Sequence, residues 1–211
     1  TNASAMFAYC AALTTVPLFN LSSVTNAGSM FYQCSNITTV PLFDLSKVTN
    51  ASYMFLGCTP LTVIPFFDLS NLINATGMFY QCSNITTVPL FDLSKVTNAT
   101  TMFHQCSKLT TVPLLNLSSV TNATNMFYQC TALTTVPLLN LSSCTNASNM
   151  FSGVTLTTQS YSDFLINLAT LPLQSGVSFH GGNSKYNPAA AIARAYLISN
   201  FGWTITDGGA A

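Results

Sequence analysis

Charge is what this chain has least of. Among its 211 residues only 5% are charged, five Lys plus Arg against five Asp, and Glu is absent. With a net charge of zero there is no cluster of Lys and Arg to neutralise phosphates, so nucleic acid is not an expected partner. His104 and His180 are the only histidines, and no Ser, Cys or Asp stands at a spacing that selects a catalytic arrangement. Asp163 and Asp207 have no evident partner in the sequence. The expectation is a chain that is not an enzyme and carries no cofactor. No run of 18 apolar residues occurs, which excludes a membrane-spanning helix.

What is present is one short phrase, repeated. Met-Phe recurs at 6/7, 30/31, 54/55, 78/79, 102/103, 126/127 and 150/151, an unbroken spacing of 24 residues. A period of this size is that of stacked-turn solenoids, in which one turn cannot bury its apolar side alone and its neighbours supply the cover. Within a turn the apolar residues fall at Leu13, Val16, Leu18, Leu21, Val24, Ala27, Met30, Phe31 and Cys34, with Ser, Thr, Asn and Gln between them. That spacing is neither alternation nor a sustained 3.6-residue period, so each turn is expected to be a coil that bends back on itself. Leu13 to Leu18, with closely similar stretches starting at 37, 85, 109 and 133, has the β-branched content of a short strand, curtailed by its Pro. Ala27 to Cys34 suits a helical or 3₁₀ turn. Turns stacked in register should rise by about 4.8 Å each, and six steps make a rod of roughly 30 Å.

Leu-x-x-Val-x-Leu, then Val-Thr-Asn-Ala, then Met-Phe-x-x-Cys resembles the BspA-like branch of the leucine-rich repeats. "VPLFDLSKVTNASYMFLGC" at 40–58 is similar to that family's repeat almost position by position, and the resemblance covers residues 1 to about 151. Where the family tends to carry a second Met, this chain has Ala27, Ala51, Ala75, Ala99, Ala123 and Ala147. The resemblance implies an α/β repeat solenoid displayed on a bacterial, protist or virion surface, acting in adhesion or recognition, and it implies no catalytic residues. Two arrangements follow: a module that recognises protein or carbohydrate, or a structural subunit of a virion appendage or self-assembling extracellular fibre.

Cys10, Cys34, Cys58, Cys82, Cys106 and Cys130 share one slot, and Cys144 replaces a Val. Six cysteines 24 apart without matched His are no zinc site. In-register Cβ vectors run parallel, which favours a buried ladder of thiols over disulfides between turns. Asp44, Asp68 and Asp92 occupy consecutive turns; Ca²⁺ needs six or more oxygens, so a ladder of Asx turns is preferred to a metal site. Eleven Asn-x-Ser/Thr triplets occur, but repetition of one motif generates most of them, and the Asn of Val-Thr-Asn-Ala is expected to cap a bend.

Two rows are candidate contact surfaces. Tyr32, Tyr80, His104 and Tyr128, with Leu56 in the same slot, directly follow Met-Phe and form a candidate stripe for sugars or a protein. Phe19, Phe43, Phe67, Phe91, Leu115 and Leu139 each follow another apolar residue; neighbours in an extended segment point to opposite faces, so this row is a candidate apolar interface.

The repeat decays after Phe151, dividing the chain into a solenoid over 1–158 and a small α/β cap over 159–211. In the cap the pattern predicts a helix from Ser160 to Leu171 ended by Pro172, a strand in "GVSFHGG", a helix from Ala189 to Asn200 started by Asn187-Pro188 and ended at Gly202, and a last strand over 203–206. Thr1 lies within a repeat, so upstream cover for the apolar groups of the first turn is expected, from a preceding domain or from another copy.

Overall fold

The computed structural model describes residues 1–211. Successive 24-residue segments lie side by side. Parallel bridges join Asn2 to Asn26, Asn26 to Asn50, and so on through Asn74, Asn98 and Asn122 to Asn146. Four N–H groups per turn point toward the following turn: those of Ala27, Ser29, Phe31 and Gln33 donate to the carbonyls of Asn50, Ser52, Met54 and Leu56 at 2.9, 2.7, 2.8 and 2.7 Å. The Thr49 N–H returns one bond to Thr25 O at 2.9 Å.

This one-way ladder dictates the backbone. To aim every second N–H along the stack, the chain folds into consecutive tight turns, with Met30 N–H to Ala27 O at 3.2 Å and Cys34 N–H to Phe31 O at 3.1 Å. Two residues per turn then take positive φ, as at Ser29 (56°) and Gln33 (57°). Eleven residues other than Gly do so, all within the repeats. Each costs about 1–2 kcal/mol and persists because both neighbouring turns hold it.

The expected turn over Ala27–Cys34 is thus present, as a chain of hydrogen-bonded turns. The expected strand over Leu13–Leu18 is absent from every repeat. Pro interrupts it, and the segment makes only scattered bonds to its neighbours, such as Thr110 N–H to Thr86 O at 3.0 Å.

The interior is built from columns of identical residues. The rings of Phe31, Phe55 and Phe79 stack at 5.5 and 5.6 Å with planes 8° and 2° apart, and Phe103, Phe127 and Phe151 continue the column. From Ala27 and Met30 onward the Ala and Met of each turn are buried beside it, whereas Met6 in the first turn is 53% exposed. The cysteines contribute more than volume: Cys58 Sγ donates to Phe31 O at 3.2 Å, and Phe31 O already accepts the N–H of Cys34 in its own turn. The same arrangement recurs at Cys34, Cys82, Cys106 and Cys130. A thiol is apolar enough for a dry column, yet supplies the second donor to that carbonyl. The Asn column closes each bend: Asn74 Oδ1 accepts from Thr76 N–H at 3.0 Å, and every member from Asn2 to Asn146 makes the equivalent Asx bond.

The C-terminal module is a β-α-β unit preceded by a helix. α1 spans Thr158–Leu168, β1 Ser178–His180, α2 Pro188–Phe201 and β2 Thr204–Thr206. Thr157 and Asn187 cap the helices with their side chains, and Gly202 ends α2 in the left-handed conformation. β1 and β2 pair in parallel. β1 covers the last turn: Ser178 O and His180 O accept the N–H groups of Ala147 and Phe151, both at 3.0 Å. Phe164 and Phe179 meet Phe151 edge-on, at 84° and 74°, and so end the parallel column of rings. Gly182 lies so close to Val154 O and Phe151 O that no side chain fits there.

Asp207 does have a partner, contrary to expectation. It accepts from Arg194 Nε at 2.8 Å and from the Tyr161 hydroxyl at 2.9 Å, tying α1, α2 and the tail together; the sequence separations hide this.

Two outcomes test this description. Thr101 is a β-branched residue at φ 55° in a slot where the next two turns carry Asn. Thr101→Asn should stabilise the protein by about 1 kcal/mol, raising Tm by about 2–4 °C in calorimetry; an unchanged or lower Tm would refute the strain. Burial pushes the Cys58 and Cys130 thiols from their ordinary value of 9.0 up to about 12. Their contribution to stability is therefore complete below about pH 9 and is lost as pH rises through 12. At pH 8 a thiol reagent should titrate exposed Cys10 alone until denaturant releases the rest; rapid reaction of several thiols would contradict the buried column.

Candidate functional site

Three of the four residues in the expected aromatic stripe come together. Tyr80 meets His104 at 4.4 Å with the rings 73° apart, and His104 lies 4.6 Å from Tyr128 at 26°. Tyr32 is separated from them by Leu56, which is buried, and its ring neighbour is Tyr9 at 5.2 Å. All four stripe residues are half-buried. Because the rings lean on one another, the row offers edges rather than open faces. Burial lowers the pKa of His104, and its Nδ1 is enclosed without a hydrogen-bond partner.

Beside this row runs a trough of about 420 Å³ across four turns, lined by Thr59, Gln81, Ser83, Gln105, Ser107, Gln129 and Thr131. Every lining side chain is an uncharged amide or hydroxyl. Gln81 Nε2 donates to Gln105 Oε1 at 2.9 Å, which aligns the two amides along the stack. Gly57 and Gly153 occupy the Gln slot at either end, and the amides of Gln33 and Gln129 lie over them, where a Cβ would stand 2.7 and 2.5 Å away. The Gln residues were legible as neighbours of the Tyr row. The Ser and Thr wall was missed, and its signal was a second uncharged slot repeating two residues later.

The expected apolar interface is corrected. Phe43, Phe67, Phe91, Leu115 and Leu139 are buried in the core and Phe19 is half-buried. Phe67 packs on Phe55 at 6.1 Å, and Phe91 on Phe79 at 6.0 Å. The residues before them face solvent instead: Leu18, Leu42, Phe66, Leu90, Leu114 and Leu138 are 51–70% exposed. The cause is local. The N–H groups of Phe67, Phe91, Leu115 and Leu139 donate to the Pro carbonyl two residues back at 2.8–2.9 Å. That closes a γ-turn with the preceding residue at its apex, which turns the apex side chain outward and the next one inward.

The Asp ladder makes Asx turns. Asp44 Oδ1 accepts from Ser46 N–H at 3.1 Å and from its hydroxyl at 2.6 Å, and these bonds hold the carboxyl below its ordinary pKa. Asp68 and Asp92 accept from the backbone N–H groups of Ser70 and Ser94, both at 3.0 Å. No three His, Cys, Asp or Glu side chains converge anywhere, and no helix is long and apolar enough to cross a membrane.

Residues 1–88, and again residues 61–164, match the family described as "Mycoplasma protein of unknown function, DUF285". No curated protein and no solved structure matches the chain. The two matches together span the whole stack of turns and well over half of the sequence, so the chain belongs to the DUF285 family.

Proposed function

We propose that this protein is a non-enzymatic recognition module of the BspA-like, leucine-rich-repeat-like solenoid class, displayed outside the cell or on a virion, and that it binds neutral, linear carbohydrate along the Gln–Ser/Thr trough. The observation that carries this reading is the lining of the trough, which is wholly uncharged and repeats with the stack. Amides and hydroxyls both donate and accept, as sugar hydroxyls do. Successive turns rise by about 4.8 Å, close to the length of one sugar ring along a linear glycan, so each turn can address one residue of the chain. The absence of charge favours neutral over anionic glycans. Tyr80, His104 and Tyr128 would contribute ring edges and hydroxyls at the rim. A second reading, a structural subunit, is favoured by the exposed apolar row alone.

Glycan arrays followed by titration calorimetry test the trough. Neutral linear oligosaccharides should bind, and Gln81→Ala combined with Gln105→Ala should weaken them about thirtyfold, as expected for two neutral hydrogen bonds of about 1 kcal/mol each. Binding that ignores this pair, or a preference for anionic glycans, would sink the carbohydrate reading.

A further inference from the structure

The outward row does not stop at the end of the stack. A shallow hollow between Leu114 and Leu138 is bordered by Asn116 and Asn140, and a similar one lies between Leu18 and Leu42. Leu138 also borders a hollow with Ile166 of α1, and Ile166 lines another with Ile192 and Tyr196 of α2. One apolar band therefore runs from the first turn onto the cap. Helix α2 supplies an independent sign that the band is meant to be covered. Apart from Arg194, Ser199 and Asn200 its residues are apolar or aromatic, and a helix of that kind is normally enclosed. Here only Ala190 and Leu197 are buried, while Ile192 is 79% exposed and Tyr196 and Ile198 are 41% and 40% exposed. Its single charge, Arg194, is turned inward to Asp207.

We infer that this band is the interface of a homodimer, in which a second copy of the chain lays its own band lengthwise against the first. Three observations select that occupant. The rungs repeat once per turn, with hollows between Leu18 and Leu42 and between Leu114 and Leu138, and a second copy carries rungs of the same period to fill them. None of the rungs is charged and the net charge is zero; the carboxylates of Asp44 and Asp163 border the hollows rather than forming rungs, so no charge has to be buried between the rungs of two copies. The exposed parts of the nine apolar side chains, the six rungs with Ile166, Ile192 and Tyr196, amount to on the order of the ~800 Å² per partner that a stable interface buries. The Asn and Asp residues bordering the hollows then form the polar rim. The same patch serves on both subunits, so the contact is isologous and closes at two.

This inference is independent of the trough, and the experiment keeps them apart. Sedimentation equilibrium of the full chain, with reductant present because Cys10 is exposed, should give twice the 22.5 kDa of one chain at micromolar concentration. Leu42→Asp with Leu114→Asp should raise the dimer Kd at least a hundredfold. Far-ultraviolet dichroism and Tm should be unchanged, since both side chains already face water. Ile192→Asp alone should raise Kd about tenfold, whereas Gln81→Ala with Gln105→Ala should leave it untouched. A wild-type protein that stays monomeric at 100 µM overturns the inference and assigns the band to a different molecule. A dimer that survives the double Asp variant overturns it as well.

Discussion

The interaction on which everything else depends is the backbone bond that each turn sends to the next. Ala27, Ser29, Phe31 and Gln33 all point their N–H groups the same way, and every later turn repeats the pattern. That requirement forces the positive φ values at Ser29 and Gln33, and it brings equivalent residues within one backbone spacing of each other. Once equivalent residues are stacked, each column must be compatible with itself. Phe accepts that condition through parallel offset rings, Asn by closing an Asx turn in its own layer, and Cys by donating to the Phe carbonyl of the preceding turn. A Ser at the Cys slot would bring a more strongly hydrated group into the core, and an Ala would leave that carbonyl one donor short.

A one-way ladder must also be ended. At Phe151 the forward N–H groups would have nothing to meet, and the cap answers with a strand rather than another turn. β1 provides carbonyls at Ser178 and His180, while Phe164 and Phe179 present edges where the next ring of the column would lie. The cap is in turn fixed by Asp207, which receives Arg194 and the Tyr161 hydroxyl from two helices. With its carboxylate raising the Tyr161 pKa further above what burial causes, that phenol stays protonated and remains a donor. The group that looked unpartnered in the sequence is the one that joins the module.

Periodicity made the stacking of turns readable, because Met-Phe every 24 residues has no other economical explanation, and α2 was readable from Asn187-Pro188 and Gly202, whose chemistry is local, whereas α1 spans Thr158–Leu168 and ends before the expected stop at Pro172. The side-chain direction at Phe66 and Phe67 was not readable. Simple alternation from Ile64 would bury Phe66 and expose Phe67, and a single γ-turn bond from the Phe67 N–H to the Pro65 carbonyl shifts the phase by one residue. Nor was the break in the aromatic stripe evident: Leu56 keeps the slot apolar but sinks beneath the surface, leaving Tyr32 apart from Tyr80. Both misses arise where one hydrogen bond or one substitution decides between two rows of equal hydrophobicity.

The scarcity of charge follows from the same geometry. A charged slot repeated in register would face its copies at about 5 Å, costing about 3 kcal/mol per pair at an effective dielectric constant near 20. Only exposed slots, where water screens the pair, tolerate it, and there Asp44, Asp68 and Asp92 are each held by Ser donors. Lys47 and Lys95 accompany the first and third of these, and Lys95 reaches Asn71 Oδ1 in the middle turn at 2.7 Å. Apart from exposed Lys108 and the imidazole of His104, the rest of the stack is confined to amides, hydroxyls and apolar groups. A surface so constrained has two ways to make contact: hydrogen bonding to neutral groups along the Gln trough, and dehydration of apolar surface along the Leu row. Steering by long-range fields is closed to it, so its associations should be governed by how long a contact lasts rather than by how fast it forms.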